Sequence, residues 1–309
     1  MSLRLVFLGT GGSWPSKEAG VSALALRAPK QTLLFDCGEG TQRQLMFSSV
    51  SFMSITHIFI THFHGDHFLG LPGLIQSMSL NDRKKELVIV GPEGIEDLTK
   101  TLLGLGYFTL TFPIKVITAV PGEGVTAGEG EDGGLTITPF NVEHCVPGIG
   151  YAVEEPMRPG KFDKARALEL GVPEGRLFSK LQKGEEVEVE GKKITPGMVM
   201  GPPRPGRKVI ITGDTKYLDP PPEIWRNCDA LVHEATFTKE LEERAGEYGH
   251  STAEQAAKSA KKVGAGILFL VHRSPRYKDP AILEEEAKAV FPNSYFPKDL
   301  EETDIPLRD

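Results

Sequence analysis

The chain has 309 residues, of which 39% are hydrophobic and 25% charged, a balance typical of a soluble globular protein with one large α/β domain or two small ones. Its net charge of −7 at pH 7 argues against a uniformly basic nucleic-acid-binding protein, although a local basic surface is compatible with that total. No apolar run approaches the length of a membrane span, and residues 1–12 are too short for a signal peptide, so no membrane attachment is expected.

The cysteine content predicts a reducing compartment. Cys37, Cys145 and Cys228 are odd in number, widely spaced and without a CxxC pair. They indicate reduced thiols in a cytosolic protein rather than a disulfide framework, so a cytoplasmic location is expected.

The first predicted strand, at residues 3–8, ends in a cluster of glycines at residues 9–12. The cluster lacks the GxGxxG pattern of a dinucleotide site, and we expect a tight loop beside a metal cleft instead. Residues 21–26 and 32–35 predict a hairpin, and an amphipathic helix carrying Leu45, Met46 and Phe47 follows.

The strongest chemical signal is THFHGDH at residues 61–67. The preceding residues 56–60 predict a buried strand, and residues 68–75 predict the start of a buried helix. The motif therefore lies on a turn that leaves the end of a strand, where a rigid scaffold holds it and one face is open.

The spacing of the motif suggests two metal ions. His62 and His64 point the same way on an extended segment, whereas Asp66 and His67 follow a bend at Gly65 and can face a second point nearby. Imidazole and carboxylate groups suit zinc, and a pair of ions about 3.5–4 Å apart suits phosphoryl displacement. One histidine alone is usually structural, but HxHxDH after a strand seldom arises by chance.

Asp36 has two interpretations of equal weight. It could accept hydrogen bonds behind the metal ligands, or it could be an ordinary turn or capping carboxylate.

Further strands and helices alternate along the chain, and three more ligand types follow strands. Strands are predicted at residues 87–90, 112–120, 135–142, 208–212 and 267–271, and helices at residues 92–103, 251–263 and 280–290. His144, Asp214 and His272 each follow one of these strands, which indicates that they join the metal site. Cys145 follows a candidate ligand, but its side chain is expected to point elsewhere. Residues 121–134 predict a solvated loop.

More than fifty residues between 151–153 and 207–212 interrupt this alternation and are dense in proline, glycine and charge. Residues 156–183 carry a local charge of +4, from seven basic and three acidic side chains: Arg158, Lys161, Lys164, Arg166, Arg176, Lys180 and Lys183 against Asp163, Glu169 and Glu174. An acidic stretch at residues 185–190 follows. Considered alone, the segment is better explained as a solvated surface excursion than as a nucleic-acid grip.

The histidine motif resembles the signature of the metallo-β-lactamase superfamily, which hydrolyses lactams, thioesters, lactones and phosphodiesters on one fold. Other segments discriminate among these substrates. LLFDCGEGTQ at residues 33–42 closely resembles a segment of tRNase Z, the family of transfer-RNA 3′-processing endonucleases. Five further segments are similar to that family, in this order along the chain: the loop at residues 10–21, the arm tip at 171–178, GDT at 213–215, HEATF at 233–237 and HSTA at 250–253.

The resemblance implies an α/β protein with the αβ/βα four-layer sandwich of that superfamily. It implies one domain over residues 1–309, with approximately residues 154–200 as an inserted, protruding substrate-binding arm. It further implies two Zn²⁺ per subunit, a precursor transfer RNA as substrate and a homodimer in which one subunit's arm serves the partner's cleft.

The same resemblance implies roles for individual residues. His62, His64 and His144 would bind one zinc, Asp66, His67 and His272 the other, and Asp214 would bridge them. Asp66 would accept the proton of the attacking water. His250, with Glu234 beside it, would protonate or stabilise the leaving oxygen, although a helix-start hydrogen-bond pair is the alternative. Arg176, Lys180 and Arg276 are the expected substrate-binding residues.

Three functions compete. A tRNase Z should leave a 3′-hydroxyl on the transfer RNA and a 5′-phosphate on the trailer. A general phosphodiesterase of the same fold would not need the arm, and a non-enzymatic RNA-binding relative would have lost ligands that are all present here.

Overall fold

Two seven-stranded sheets form the larger part of the protein in the computed structural model, which describes residues 3–128 and 134–307. The first sheet has the order β16-β1-β2-β3-β4-β5-β6, in which β3 to β6 are parallel neighbours. Its strands are β1 (Arg4–Gly9), β2 (Ala23–Ala28), β3 (Gln31–Phe35), β4 (Ile55–Phe59), β5 (Leu87–Gly91), β6 (Ile114–Thr118) and β16 (Glu302–Asp304).

The second sheet has the order β15-β14-β13-β12-β9-β8-β7, and its strands from β12 to β15 are parallel. They are β7 (Val125–Ala127), β8 (Leu135–Asn141), β9 (Ile149–Glu154), β12 (Lys208–Ile211), β13 (Ala230–Glu234), β14 (Ile267–Val271) and β15 (Ser294–Tyr295). Because the carboxyl ends of parallel strands meet at one edge, the residues that follow β12, β13 and β14 are brought together.

The two sheets bury their facing sides in one core, to which Phe35 and Phe59 contribute from the first sheet and Tyr151 and Phe269 from the second. The Tyr151 hydroxyl also donates a hydrogen bond to the carbonyl oxygen of Ile60 at 2.7 Å. Helices cover the outer faces, since the alternate residues of each strand are apolar as well. The expected αβ/βα four-layer sandwich is therefore confirmed.

The helices of this larger unit include those that the sequence predicts, and α7 (Glu242–Tyr248) in addition. They are α1 (Thr41–Phe47), α2 (Gly65–Phe68), α3 (Leu71–Leu80), α4 (Ile95–Leu103), α7 (Glu242–Tyr248), α8 (Ala253–Val263) and α9 (Ala281–Lys288), with 3₁₀ turns at Phe52–Ser54, Glu223–Trp225 and Lys239–Leu241. Among the described residues, none of the helices is long and apolar enough to cross a membrane.

Two details differ from the prediction. In α1 only Leu45 of the three apolar residues is buried, whereas Met46 and Phe47 are exposed. The loop expected at residues 121–134 contains β7, which pairs with β8, because Val125 and Ala127 alternate with polar residues; residues 129–133 lie outside the described residues.

Glu155–Gly206 form a second compact unit, called the inserted arm here. It contains α5 (Lys164–Glu169), α6 (Arg176–Gln182), a hairpin of β10 (Val187–Val189) and β11 (Lys192–Ile194), and a 3₁₀ turn at Pro196–Met198. A small apolar core holds these elements: Ala167, Val172, Leu181, Val187, Ile194 and Val199. The proline- and glycine-rich composition therefore encodes tight turns between ordered elements.

Candidate metal centre

Six of the eight histidines and two aspartates of the chain converge on one cleft of the larger unit. Their positions follow from the strands: His62 follows β4, Asp214 follows β12 and His272 follows β14. The others lie at or beside helix starts or after β8: His64, Asp66, His67, His144 and His250.

The first group consists of His62, His64 and His144. The Nδ1 atom of His64 lies 3.0 Å from His62 Nε2 and 3.2 Å from His144 Nε2. Because His144 Nδ1 lies 2.6 Å from the carbonyl oxygen of Gly249, it must donate a proton there, which leaves its Nε2 lone pair facing the cleft. Converging imidazole lone pairs fit a divalent metal ion.

The second group consists of Asp66, His67 and His272. His272 Nε2 lies 3.2 Å from Asp66 Oδ2, and His67 Nε2 lies 3.8 Å from the same oxygen. His67 Nδ1 donates to Asp36 Oδ2 at 2.7 Å, so Asp36 acts behind the ligands, as one of its two interpretations predicts.

Asp214 lies between the two groups. Its Oδ2 atom is 3.2 Å from His272 Nε2, 3.5 Å from His67 Nε2, 3.7 Å from His62 Nε2 and 4.0 Å from His144 Nε2. Its Oδ1 atom is buried and has no hydrogen-bond partner among the described residues. A buried, unpartnered carboxylate oxygen is costly unless a cation satisfies it, so this residue set fits bound metal ions.

The backbone is strained at two points of the centre. Asp36 has φ 57° and His272 has φ 60°, values that non-glycine residues seldom adopt. Such strain persists where surrounding contacts fix the conformation. Here it accompanies the turn of His272 into the centre and of Asp36 toward His67 behind it.

His250 and Glu234 form a buried pair. The Glu234 oxygens accept hydrogen bonds from the amides of Thr215 (3.0 Å) and Thr236 (3.1 Å), from Thr236 Oγ1 (2.6 Å) and from His250 Nδ1 (2.9 Å). Burial disfavours the protonated imidazole of His250, but the Glu234 carboxylate outweighs it and raises the pKa of His250 to about 9. His250 also lies within 4.8 Å of ligand atoms of Asp214 and His272.

Two other pKa shifts suit a cationic centre. Burial, with the neighbouring His67, lowers the pKa of His62 well below its usual value and keeps the imidazole neutral. Burial opposes the charge on Asp66, but the hydrogen bond from His272 and the nearby His67 lower the pKa of this carboxyl, so it is ionised.

Cys145 points into the centre, and the expectation that it would point elsewhere is wrong. Its Sγ atom lies 3.5 Å from His144 Nε2 and 3.9 Å from His64 Nε2. β8 ends at Asn141 and the chain bends at residues 145 and 146, so the alternation of a strand does not apply to Cys145.

The three expected substrate-binding residues are exposed. Arg176 and Lys180 lie four residues apart on α6 and therefore on one face of the inserted arm. Arg276 belongs to the larger unit, where its guanidinium lies 4.9 Å from the ring centroid of Phe237 and its Nε donates to Ser274 Oγ at 3.0 Å.

Sequence reasoning missed residues that orient the ligands. Thr61 Oγ1 lies 3.0 Å from His62 Nδ1, and Thr236 Oγ1 lies 2.9 Å from His272 Nδ1. Thr61 precedes the histidine motif and Thr236 lies within the HEATF segment, but only the folded structure brings Thr236 beside His272. The glycine loop prediction is confirmed, because Ser13 donates its amide hydrogen to Asp66 Oδ2 at 2.5 Å.

Comparison with known proteins gives full-length relatives. A family model for the β-lactamase superfamily domain matches residues 174–273, and a model for the anti-Pycsar protein Apyc1 matches residues 3–112. Ribonuclease Z of Methanosarcina acetivorans is 45% identical over 307 residues, which cover 99% of each chain. The chain belongs to the ribonuclease Z family.

Other members agree with this assignment. Ribonuclease Z of Archaeoglobus fulgidus is 43% identical over 97% of this chain and 96% of that protein. The crystal structure of the short form of human tRNase Z, at 29% identity, superimposes with a TM-score of 0.71 over 98% of this chain and 100% of that chain. The resemblance to tRNase Z and its metallo-β-lactamase fold is thereby confirmed.

Proposed function

We propose that this ribonuclease Z family member is a metal-dependent endoribonuclease that removes the 3′ trailer from transfer RNA precursors. Its products are a transfer RNA with a 3′-hydroxyl and a trailer with a 5′-phosphate. The observation that supports this reaction most is the position of Asp214 Oδ2, 3.2 to 4.0 Å from imidazole nitrogens of both ligand groups. A paired metal site of this kind holds the attacking and leaving oxygens of a phosphodiester.

We further propose that the ions are two Zn²⁺ per chain. His62, His64 and His144 would hold one ion, Asp66, His67 and His272 the other, with Asp214 shared. Most of these ligands are imidazole nitrogens, which suit zinc, whereas magnesium and calcium prefer sites made only of oxygen ligands. When bound, the ions supply Lewis acidity, which lowers the pKa of water and neutralises charge on the phosphate oxygens.

Two side chains of the cleft move protons in this proposal. Asp66 is ionised, so it accepts a proton from the attacking water. His250 is protonated at neutral pH, so it donates to the leaving 3′-oxygen of the transfer RNA. Glu234 acts through His250, because all its hydrogen bonds are to protein donors and its side chain is buried. It is therefore a positioning residue.

The inserted arm and Arg276 bind the RNA in this proposal. Arg176 and Lys180 present two exposed cations on one helix face, which suits contact with phosphates. The family resemblance supports a homodimer in which one subunit's arm serves the partner's cleft. We also propose a cytoplasmic location, which the odd number and wide spacing of the three cysteines favour.

A cleavage assay tests the reaction. The purified protein is incubated with precursor transfer RNA and with bis(p-nitrophenyl) phosphate, beside an Asp66→Ala variant and a chelated sample. We expect one cut beyond the acceptor stem, with a 5′-phosphate on the trailer, which both controls lack. Hydrolysis of the small diester without cleavage of RNA would replace the proposal with a general phosphodiesterase.

A mixing experiment tests the dimer. An Asp214→Ala chain has an intact arm, and a chain with Arg176→Ala and Lys180→Ala has an intact metal centre. If the arm serves the partner's cleft, mixed dimers cleave precursor transfer RNA at a low substrate concentration faster than either variant alone. A light-scattering mass of one chain, or no recovery on mixing, would contradict the dimer.

A further inference from the structure

Trp14 is an exposed aromatic residue at the edge of the metal centre. Its side chain is 62% exposed, whereas the other tryptophan, Trp225, is fully buried. Among the described residues, no aromatic or cationic group contacts the Trp14 ring. The residue before it, Ser13, donates its amide hydrogen to Asp66 Oδ2, so Trp14 directly follows a residue that contacts a proposed metal ligand.

The loop that carries Trp14 approaches the centre closely because of a glycine. A Cβ atom on Gly12 would lie 2.5 Å from the ring of His272, so no larger residue fits there without displacing this ligand. The Gly12 carbonyl oxygen accepts a hydrogen bond from the Trp14 amide at 2.9 Å, and the Gly12 amide donates to the Arg273 carbonyl oxygen at 3.0 Å. Trp14 is therefore held on the segment that bears His272.

One carboxylate closes the base of this loop. Asp299 accepts hydrogen bonds from the amide and hydroxyl of Thr10, at 3.0 and 2.8 Å, and from the amide of Gly20 at 2.6 Å. Ser13 adopts φ 70°, a left-handed conformation that the hydrogen bond from its amide to Asp66 helps to hold. The backbone of the loop is thus pre-organised, so binding there does not have to order it.

Single exposed apolar residues are common on protein surfaces and need no function. Trp14 differs because the loop that carries it contacts two proposed metal ligands, Asp66 through the Ser13 amide and His272 through Gly12. At the end of an acceptor stem the RNA is single-stranded, and its bases are free to stack on aromatic rings. Stacking tolerates every base, which suits an enzyme that acts on many precursors.

We infer that Trp14 is a stacking platform for an unpaired base next to the scissile phosphate. The inference rests on the proposed endoribonuclease function and adds a binding residue outside the metal centre and the inserted arm. Its ligand is single-stranded RNA at the cleavage junction.

Steady-state kinetics of the metal-loaded enzyme test the inference with Trp14→Ala and Trp14→Phe, and with Tyr107→Ala as a control for removal of an exposed aromatic elsewhere. Loss of one stacked base predicts that Trp14→Ala raises KM for precursor transfer RNA about tenfold, with kcat little changed. Trp14→Phe should restore most of the affinity, and Tyr107→Ala should match the wild type. All three should hydrolyse bis(p-nitrophenyl) phosphate normally.

Fluorescence provides a direct readout. On rapid mixing of precursor transfer RNA with the wild-type enzyme, stacking should quench tryptophan emission before the trailer is released. Trp14→Phe, which keeps only buried Trp225, should show no such quench.

Unchanged KM in Trp14→Ala, or a quench that persists in Trp14→Phe, would overturn the inference while leaving the endoribonuclease intact. Equal loss of RNA and diester hydrolysis in Trp14→Ala would overturn it in favour of a structural role in the loop. Failure of the wild type to cut RNA would instead refute the proposed function, and the inference with it.

Discussion

At the scale of single residues, the chemistry of the cleft depends on which ring nitrogen of each histidine faces it. His144 donates to the Gly249 carbonyl oxygen and His67 donates to Asp36, so each directs its Nε2 toward the centre. The partners behind the ligands therefore fix the orientation of both rings.

Replacement of Asp36 tests this arrangement. Asp36→Asn keeps the size of the side chain but weakens the hydrogen bond from His67 Nδ1. Because that bond orients His67, we expect zinc affinity to fall about 10- to 100-fold. Competition with a chromophoric chelator measures the affinity. Asp97→Asn, which neutralises an exposed carboxylate on α4, is the control and should bind zinc normally. Wild-type affinity in Asp36→Asn would show that the pair is not needed for metal binding.

Replacement of Glu234 tests the proton donor. The Glu234 carboxylate raises the pKa of His250 to about 9, so a reaction that needs protonated His250 slows as pH rises through that value. Glu234→Gln removes the charge, and we expect the alkaline limb of kcat to move about one to three pH units lower. The pH profile of trailer release measures this. An unmoved limb would exclude His250 as the donor.

At the scale of elements, strand ends and helix starts position the ligands, and α8 begins three residues after His250. Thr252 Oγ1 accepts the Gln255 amide hydrogen at 3.2 Å, and Gln255 Oε1 accepts the Thr252 amide hydrogen at 2.9 Å. This reciprocal pair satisfies two amides at the start of the helix. It also fixes where the segment carrying His250 enters α8.

Removal of this cap should destabilise the protein. We expect Thr252→Ala to lower the free energy of unfolding by about 1 kcal/mol, whereas Thr252→Ser should retain most of it. Chemical denaturation at a fixed zinc concentration gives the comparison. Equal stability of the alanine and serine variants would contradict the capping role.

The inserted arm offers a matched pair of charge variants. Arg176 and Lys180 have no ion-pair partner among the described residues, whereas Lys164 pairs with Glu174 at 2.8 Å and Arg166 with Glu169 at 3.1 Å. Arg176→Ala with Lys180→Ala should raise KM for precursor transfer RNA. It should also reduce the slope of log KM against log salt concentration by about one to two. Lys164→Ala with Arg166→Ala should change both quantities less. Hydrolysis of the small diester should stay constant in both, and equal effects of the two pairs would contradict a specific arm contact.

At the scale of the whole molecule, the sequence is most informative where chemistry and local pattern coincide. Histidine and aspartate at strand ends predict the centre, because parallel strands place their carboxyl ends together. The contacts of Thr236 with His272 and of Asp299 with the loop at residues 10–20 join distant parts of the chain, and no local pattern reports them. The sequence does not predict the helices and the hairpin of the inserted arm. Its six-residue core is too sparse to give the apolar periodicity of a helix or a strand.

Metal binding should also stabilise the whole fold. Ligands that converge only in the folded chain bind metal more tightly there than in the unfolded chain, so removal of metal shifts the equilibrium toward unfolding. We expect chelation to lower the melting temperature and added zinc to restore it. In Asp214→Ala, the difference in melting temperature between chelated and zinc-loaded protein should be smaller. A difference equal to that of the wild type would argue that the metal acts elsewhere.

The most direct test of the metal-dependent endoribonuclease is a zinc titration of metal-free protein, with bound zinc and trailer release measured on the same samples. Trailer release should be absent without metal, increase with bound zinc and reach its maximum near two ions per chain, with a 5′-phosphate on the trailer. Full cleavage by the metal-free protein, or a centre that fills with zinc while the precursor stays intact, would contradict it.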